Sequence, residues 1–266
     1  MNLTFRPETP ADYHAVDNLT REAFWRLSDP GQQITDVHLL VYRLRLAPSF
    51  IPELSLIAER DGVMAGHILY TKTKIVDDQG TEHAMVKFGP LSVLPAYQNQ
   101  GIGKALMRRS FDVAKKLGYR AVFIFGHPDY YPRVGFRRAA EFGVTTSDGS
   151  SFDAFMAYPL YDGALDGITG KFYYDPVYDQ LTEKDALEFD KRFLPKERYI
   201  PKPIGLLLER LEPAARAAIE AKKVQSLESM NNYSEREITA LPGIDGRALD
   251  TIYSVMKEHD WAWGTR

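Results

Sequence analysis

Apolar and polar positions along this chain follow two rhythms, and the change between them divides it. The first rhythm is helical. Thr9-Pro10-Ala11-Asp12 has the form of a helix start, with a capping hydroxyl, a proline in the first turn and an acid near the positive end of the dipole. It predicts a helix running to about Trp25. A second predicted helix, 36–46, carries Val37, Leu40, Val41 and Leu44 on one face and ends before Pro48. The period then becomes two. Segments 54–59 and 63–75 flank the turn Arg60-Asp61-Gly62, and Ile75 and Met85 flank Asp77-Asp78-Gln79-Gly80. This meander leads into the strand Leu91-Ser92-Val93, a loop, a helix over 102–117 stopped by Gly118, and the apolar strand Ala121-Val122-Phe123-Ile124-Phe125. Segments 152–160 and 170–174 read as closing strands, which gives a mixed α/β (α+β) domain over 1–180. Beyond it lie a charged helical stretch at 183–193, three prolines between 195 and 203, and a helical reading over 204–224. These predict a linker at 181–203 and a small all-α domain at 204–266.

The passage from Leu91 to Leu106 carries the clearest chemistry. It is an apolar strand end, then Gln98-Asn99-Gln100-Gly101-Ile102-Gly103-Lys104, then the first turn of a helix. Gly101 and Gly103 let a backbone approach an anion closely, and the unpaired N–H groups and dipole of the following helix favour negative charge there. The same glycines also suit a plain strand-to-helix turn. Two familiar phosphate loops are excluded by residue count. The dinucleotide fingerprint needs a third glycine where Leu106 stands, and the ATP loop needs Ser or Thr at Ala105 and glycine at Asn99.

What remains, Gln-x-x-Gly-x-Gly placed five residues after the strand end, resembles the acetyl-CoA element of the GCN5-related N-acetyltransferases, the GNAT family. The likeness continues downstream. After the strand at 121–125 comes His127-Pro128-Asp129-Tyr130-Tyr131-Pro132-Arg133-Val134-Gly135-Phe136, and Tyr131-x-x-x-Gly135-Phe136 matches that family's Tyr-x-x-x-Gly-Phe ending. The run is most similar to the YhbS-like subgroup. The resemblance implies a mostly antiparallel sheet with a splayed central strand pair and flanking helices, and an enzyme that moves acetyl from acetyl-CoA to a primary amine.

The resemblance also assigns residues. Backbone N–H groups of Gln98, Gln100, Gly101, Gly103 and Lys104 hold the pyrophosphate, with Ser92, Asn99 and Ile102 completing the binding segment, and Lys104 or Arg108 reaching the CoA phosphates. Arg108 and Arg109 equally suit a solvated helix face. The Leu91 N–H faces the acetyl oxygen, a one-donor oxyanion hole, and Val93 pairs with the pantetheine amide. Tyr131 stands where the family's tyrosine protonates the departing thiolate, a role that suits a phenol of pKa about 10. His127 is the first candidate base, directly or through a water, ahead of Glu53, Asp129 and Glu82. Phe24, Trp25, His38 and Tyr42, with the loop at Tyr130, form the expected acceptor pocket, which suits an amine with an apolar or cationic body.

Composition narrows the class. The chain has 266 residues, 44% of them hydrophobic, enough for a substantial core. No apolar run reaches membrane-span length and the N-terminus lacks a signal-peptide core, so the expectation is a cytoplasmic protein that does not engage membranes. With no cysteine, a thiolate metal site and a cysteine acyl-enzyme are excluded, so any acyl transfer is expected to go directly from donor to acceptor; no metal is expected. The net charge of −3 gives no general attraction to nucleic acid.

The tail poses a separate question. Ile238-Thr239-Ala240-Leu241-Pro242-Gly243-Ile244-Asp245-Gly246 has a helix-hairpin-helix pattern, and 226–266 resembles the C-terminal domain of the bacterial RNA polymerase α subunit down to Trp263-Gly264-Thr265-Arg266. Charge opposes a DNA-binding reading, because 222–266 carries six Lys/Arg and seven Asp/Glu. Ala214 and Ala217 occupy the places of that domain's DNA-contacting residues, and Asp245 replaces the hairpin's second glycine. A structural or protein-docking module is the favoured expectation, with nucleic-acid contact through 204–266 as the lesser one. An acyl-CoA-binding sensor or scaffold, using this tail on nucleic acid or a transcription partner, is the alternative to an enzyme. The amine's identity is not legible in the sequence, and a homodimer stays open.

Overall fold

The computed structural model describes residues 2–25, 33–128, 130–233 and 235–259. One mixed sheet organises the first two thirds of the chain. Its strands are β1 (Leu3–Pro7), β2 (Leu56–Arg60), β3 (Val63–Val76), β4 (Glu82–Val93), β5 (Ala121–Phe125), β6 (Arg137–Arg138), β7 (Val144–Thr146), β8 (Phe155–Pro159) and β9 (Gly170–Tyr173). The order is β1-β2-β3-β4-β5-β8-β6, with β9 paired to β3 and β7 to β9. Neighbours run antiparallel except β4–β5 and β7–β9. Parallel neighbours need a crossover, and helix α3 (Ile102–Lys116) supplies it between β4 and β5.

Two irregularities of β4 set the site. Its ladder with β5 contains two pairs, Val86↔Val122 and Lys87↔Phe123, after which the strands part. Against β3, Tyr70 pairs with Phe88 but Ile68 pairs with Leu91, so β4 spends three steps where β3 spends two. The extra residue is a bulge at Gly89-Pro90, a position where proline's missing N–H costs the ladder nothing. It reverses the alternation of faces. Phe88, Leu91 and Val93 all pack on the α3 side, whereas Ser92 turns to the opposite face and its hydroxyl meets Thr20 at 3.0 Å.

Helices α1 (Tyr13–Ala23) and α2 (Val37–Leu46) cover the other face through Val16, Val41 and Leu44 against Ile57 and Leu69. Under them lies a buried ionic group. The Arg45 guanidinium donates to Glu8 (2.6 and 3.2 Å) and to Asp17 (2.5 Å), and Ser55 donates to Glu8.

The later chain departs from its pattern in one respect. A single helix over 204–224 is replaced by α5 (Gly205–Leu208) and α6 (Pro213–Glu220), because Pro213 cannot continue a helix from the preceding turn and instead begins a new one. Before them α4 (Glu183–Asp190) ends short of Phe193. After them come α7 (Glu235–Thr239) and α8 (Gly246–Glu258). The helices from α5 on share an apolar cluster of their own, with Leu207, Ile219, Leu227, Met230, Ile238, Ile252 and Val255 at its centre. Between α7 and α8, Gly243 (φ +90) sits so close to Ala214 that a Cβ would lie 2.8 Å from its backbone, and the Asp245 carboxylate accepts from Ala248 N–H at 2.9 Å to cap α8. The closing residues 263–266 lie outside the described residues.

Candidate functional site

Where β4 runs on past its ladder with β5, a cleft of about 310 Å³ lies between the end of β4, the loop at Tyr130 and Tyr131 that follows β5, the start of α3 and the end of α1. Its walls bring together Leu91, Val93, Gln98, Asn99, Gly101, Ile102, Gly103, Lys104, Tyr130, Tyr131 and Phe24, all singled out above, with Ala23 and Tyr97 in addition. Tyr97 carried no signal beyond its place in a Pro-Ala-Tyr turn. Asn99 (φ +59) and Gly101 (φ +82) are left-handed, which folds the loop back onto the helix start. The Gln98 side chain ties the loop to the strand by donating to Val93 C=O at 3.0 Å. The first intrahelical bond runs from Ala105 N–H to Gly101 C=O, so the N–H groups of Ile102, Gly103 and Lys104 precede it and are left for another acceptor. Gln98 N–H, by contrast, already donates to Pro95 C=O at 3.3 Å.

Other assigned residues lie off the cleft wall. Ser92 faces α1, as above. The Gln100 side chain pairs with Arg60 and with Ala96 C=O at the surface. Arg108 is exposed on the helix, while Arg109 lines a separate groove together with Glu53. Glu82 pairs with Lys74 in the exposed ribbon. His127 follows β5, its carbonyl accepting from Tyr130 N–H (3.1 Å) and Tyr131 N–H (3.3 Å), but its ring is not part of the cleft wall. Asp129 lies outside the described residues.

Tyr131 is fixed by its own motif. Gly135 (φ +106) closes the turn, Phe136 N–H returns to Tyr131 C=O at 3.2 Å, and the Phe136 ring is buried against Phe88, Phe111 and Tyr131. Burial, with a smaller contribution from neighbouring Tyr130, raises the Tyr131 pKa well above that of a free phenol, so the hydroxyl keeps its proton at neutral pH. Gly126 completes the seat, since a Cβ there would lie 2.3 Å from the Tyr131 ring. Gly126→Ala is therefore expected to displace the Tyr131 ring, which the aromatic NMR shifts of Tyr131 and Phe136 would report.

The sequence profile of the Acetyltransferase (GNAT) family matches residues 20–140. A curated relative, the uncharacterized N-acetyltransferase YhbS of Escherichia coli K12, is 32% identical over 180 residues, which is 67% of this chain and all of that protein. The chain belongs to the GNAT acetyltransferase family. A crystal structure of the Escherichia coli YhbS protein in complex with CoA shares 28% identity with this acetyltransferase and a TM-score of 0.58, covering 68% of this chain and 94% of that one. A GNAT acetyltransferase from Brucella melitensis in complex with acetyl-CoA gives 28% and 0.52, covering 67% and 99%. About a third of this acetyltransferase thus has no counterpart in these shorter relatives.

The segment after residue 182 bears on the α1–α2 side. Phe189 and Phe193 pack against His38 and Tyr42, and Asp190 accepts from Arg21 at 2.5 and 3.0 Å. Trp25 donates its indole N–H to Glu197 C=O at 2.9 Å, and its ring lies between the Arg21 guanidinium (4.4 Å) and Lys196 (4.9 Å). His38 is fully buried, and burial brings its pKa down to about 4, against the pull of Asp190. In this acetyltransferase Trp25, His38 and Tyr42 are therefore packing partners of the segment after residue 182, and of the four expected acceptor residues on these helices Phe24 alone lines the cleft. No helix among the described residues is long and apolar enough to cross a membrane.

Proposed function

We propose that this chain transfers acetyl from acetyl-CoA directly to a primary amine. The observation that carries the reading is the meeting, in one cleft, of the open N-terminus of α3, the unpaired edge of β4 and Tyr131. The cleft suits the donor. Its wall contains no acid, Lys104 is basic, and Gly101 leaves the approach to the loop open. Two family members are known in complex with CoA and acetyl-CoA, which supports the same ligand here. Nothing in these relatives favours the sensor or scaffold alternative.

When bound, acetyl-CoA supplies the thioester. The loop and helix N–H groups hold its diphosphate, and β4 past the fork presents Val93 to the pantetheine and Leu91 N–H to the carbonyl oxygen, where negative charge grows as the amine attacks. The new C–N bond forms as C–S breaks; Tyr131 delivers its proton to the sulfur, and the proton lost from nitrogen passes to solvent or, through a water, to His127, whose ring lies off the cleft wall.

The test is CoA release from acetyl-CoA with a panel of primary amines, read by thiol formation. Release dependent on an amine supports the reading; tight acetyl-CoA binding without release for any amine overturns it. The donor site has its own check. A Cβ at Gly103 meets only Leu91 and Val93 side chains at 3.5 Å and beyond, so Gly103→Glu is tolerated by the fold but places a carboxylate beside the diphosphate seat. Acetyl-CoA should bind about tenfold more weakly or worse, a loss of about 1.4 kcal/mol, with unfolding temperature unchanged.

A further inference from the structure

Residues 20–25, at the end of α1, divide their contacts between the cleft and a distant stretch of chain. Thr20 bonds Ser92 hydroxyl to hydroxyl at 3.0 Å, which ties this turn to β4 between Leu91 and Val93. Ala23 and Phe24 line the cleft. Arg21, Glu22 and Trp25 reach the other way, to the end of α4 and the chain after it. The Arg21 guanidinium, 3% exposed, grips the Asp190 carboxylate with two hydrogen bonds of 2.5 and 3.0 Å. Glu22 pairs with Lys196, and the Trp25 indole N–H donates to Glu197 C=O at 2.9 Å. Gln33 is held by the same part of the chain, its N–H donating to Glu183 at 2.6 Å and its side-chain oxygen accepting from Arg198 at 3.1 Å.

The backbone by itself holds this turn weakly. Helix ends fray, and the last bond here, from Trp25 N–H to Glu22 C=O, is 3.5 Å long. Side-chain chemistry fixes it instead: a bidentate, charge-assisted pair with little solvent around it, and an indole ring packed between the Arg21 guanidinium at 4.4 Å and the Lys196 ammonium at 4.9 Å. Asp190, Lys196 and Glu197 do not line the cleft, whereas Phe24, flanked by tethered residues, does. With β4, the start of α3 and Tyr131 serving acetyl-CoA, the wall left for the amine is Ala23, Phe24 and Tyr130.

We propose that the segment from Asp190 to Glu197 is a clamp that positions Phe24 in the acceptor wall of the cleft, with Arg21 and Trp25 as the positioning residues through which it acts. This rests on the proposed transferase reading for which side of the cleft receives the amine. Opening the clamp leaves the donor seat intact but gives the last turn of α1 other conformations, so that an arriving amine has to reorder its wall.

The experiment uses Asp190→Asn, which keeps the shape and removes the ion pair, and Trp25→Phe, which keeps an aromatic ring and removes the indole N–H. Both are compared with Ile252→Ala, which weakens the separate apolar cluster around α8. Initial rates of thiol release are measured at saturating acetyl-CoA with 2-phenylethylamine and with 1,4-diaminobutane. The expected result in both clamp variants is an amine KM about tenfold higher, the scale of reordering two side chains on binding, with kcat within about twofold and acetyl-CoA affinity unchanged. General loss of stability does not give this split, because it lowers the active fraction and with it kcat. A 4-fluorophenylalanine in place of Phe24 reads the wall without turnover: its fluorine resonance should move or broaden in both clamp variants and stay in place in Ile252→Ala. An unchanged amine KM, or one that rises equally in Ile252→Ala, overturns the clamp and leaves the transferase reading standing. If wild type releases no CoA with either amine, the fluorine resonance decides alone. Movement confined to the clamp variants then retains the clamp, no movement overturns it, and the wider amine panel decides the transferase reading separately. Should Asp190→Asn fail to fold, Trp25→Phe carries both measurements.

Discussion

Tyr131→Phe is expected to lower kcat by roughly 10² to 10⁴ while acetyl-CoA binds as in wild type, the range for losing a positioned general acid. The ring stays in place, because its seat against Phe88, Phe136 and Gly126 is made by carbon atoms the substitution keeps. What goes is a proton whose pKa burial has raised, so that in wild type Tyr131 stays a donor across neutral pH and causes no fall in kcat up to about pH 10. Stopped-flow thiol release separates chemistry from product release. An undiminished chemical step in Tyr131→Phe would remove the residue from the mechanism.

Arg45→Met should cost about 3 to 5 kcal/mol of stability, because it strands two carboxylates rather than removing a pair. Arg45, Glu8 and Asp17 are buried to within a few per cent at the side chain, and together they join the end of β1, α1 and α2. Urea denaturation reads the loss, and Arg43→Met is the control: its partner Asp185 is 41% exposed and the pair is worth about 1 kcal/mol or less. Within this network Glu8 gives stability an acid limb, opposed by Asp17, whose pKa burial raises despite its bond from Arg45. Burial pushes Glu8 up, but hydrogen bonds from His67 and Arg45 outweigh it and hold the folded pKa at about 2, against 4.5 as the ordinary value. A depressed carboxylate contributes fully above its unfolded pKa, so that contribution is present above about pH 4.5 and is lost as pH falls towards 2. The urea midpoint of wild type should fall across that window, and that of Arg45→Met should fall less.

The donor half of the site was legible because it is local. Loop, helix start and Tyr131-x-x-x-Gly135-Phe136 are short segments whose geometry follows from residues a few positions apart, and the cleft gathers them as their order implied. The meander and three long helices were legible for the same reason. β1 was missed because Leu3-Thr4-Phe5-Arg6-Pro7 alternates too briefly to stand out before it pairs with β2. The acceptor side depended on partners far along the chain. Trp25, His38 and Tyr42 looked available until Phe189, Phe193 and Glu197 arrived from some 150 residues away. Periodicity holds no record of such meetings.

The bulge at Gly89-Pro90 makes the donor site a matter of strand phase. Remove one residue there and everything upstream keeps its face, but Leu91 and Val93 rotate towards α1 while Ser92 takes their place beside α3. No side chain of the cleft would have been changed, yet the edge proposed to meet the ligand would be presented by different residues. A ligand edge of this kind depends on the phase of the backbone rather than on which side chains stand at Leu91 and Val93.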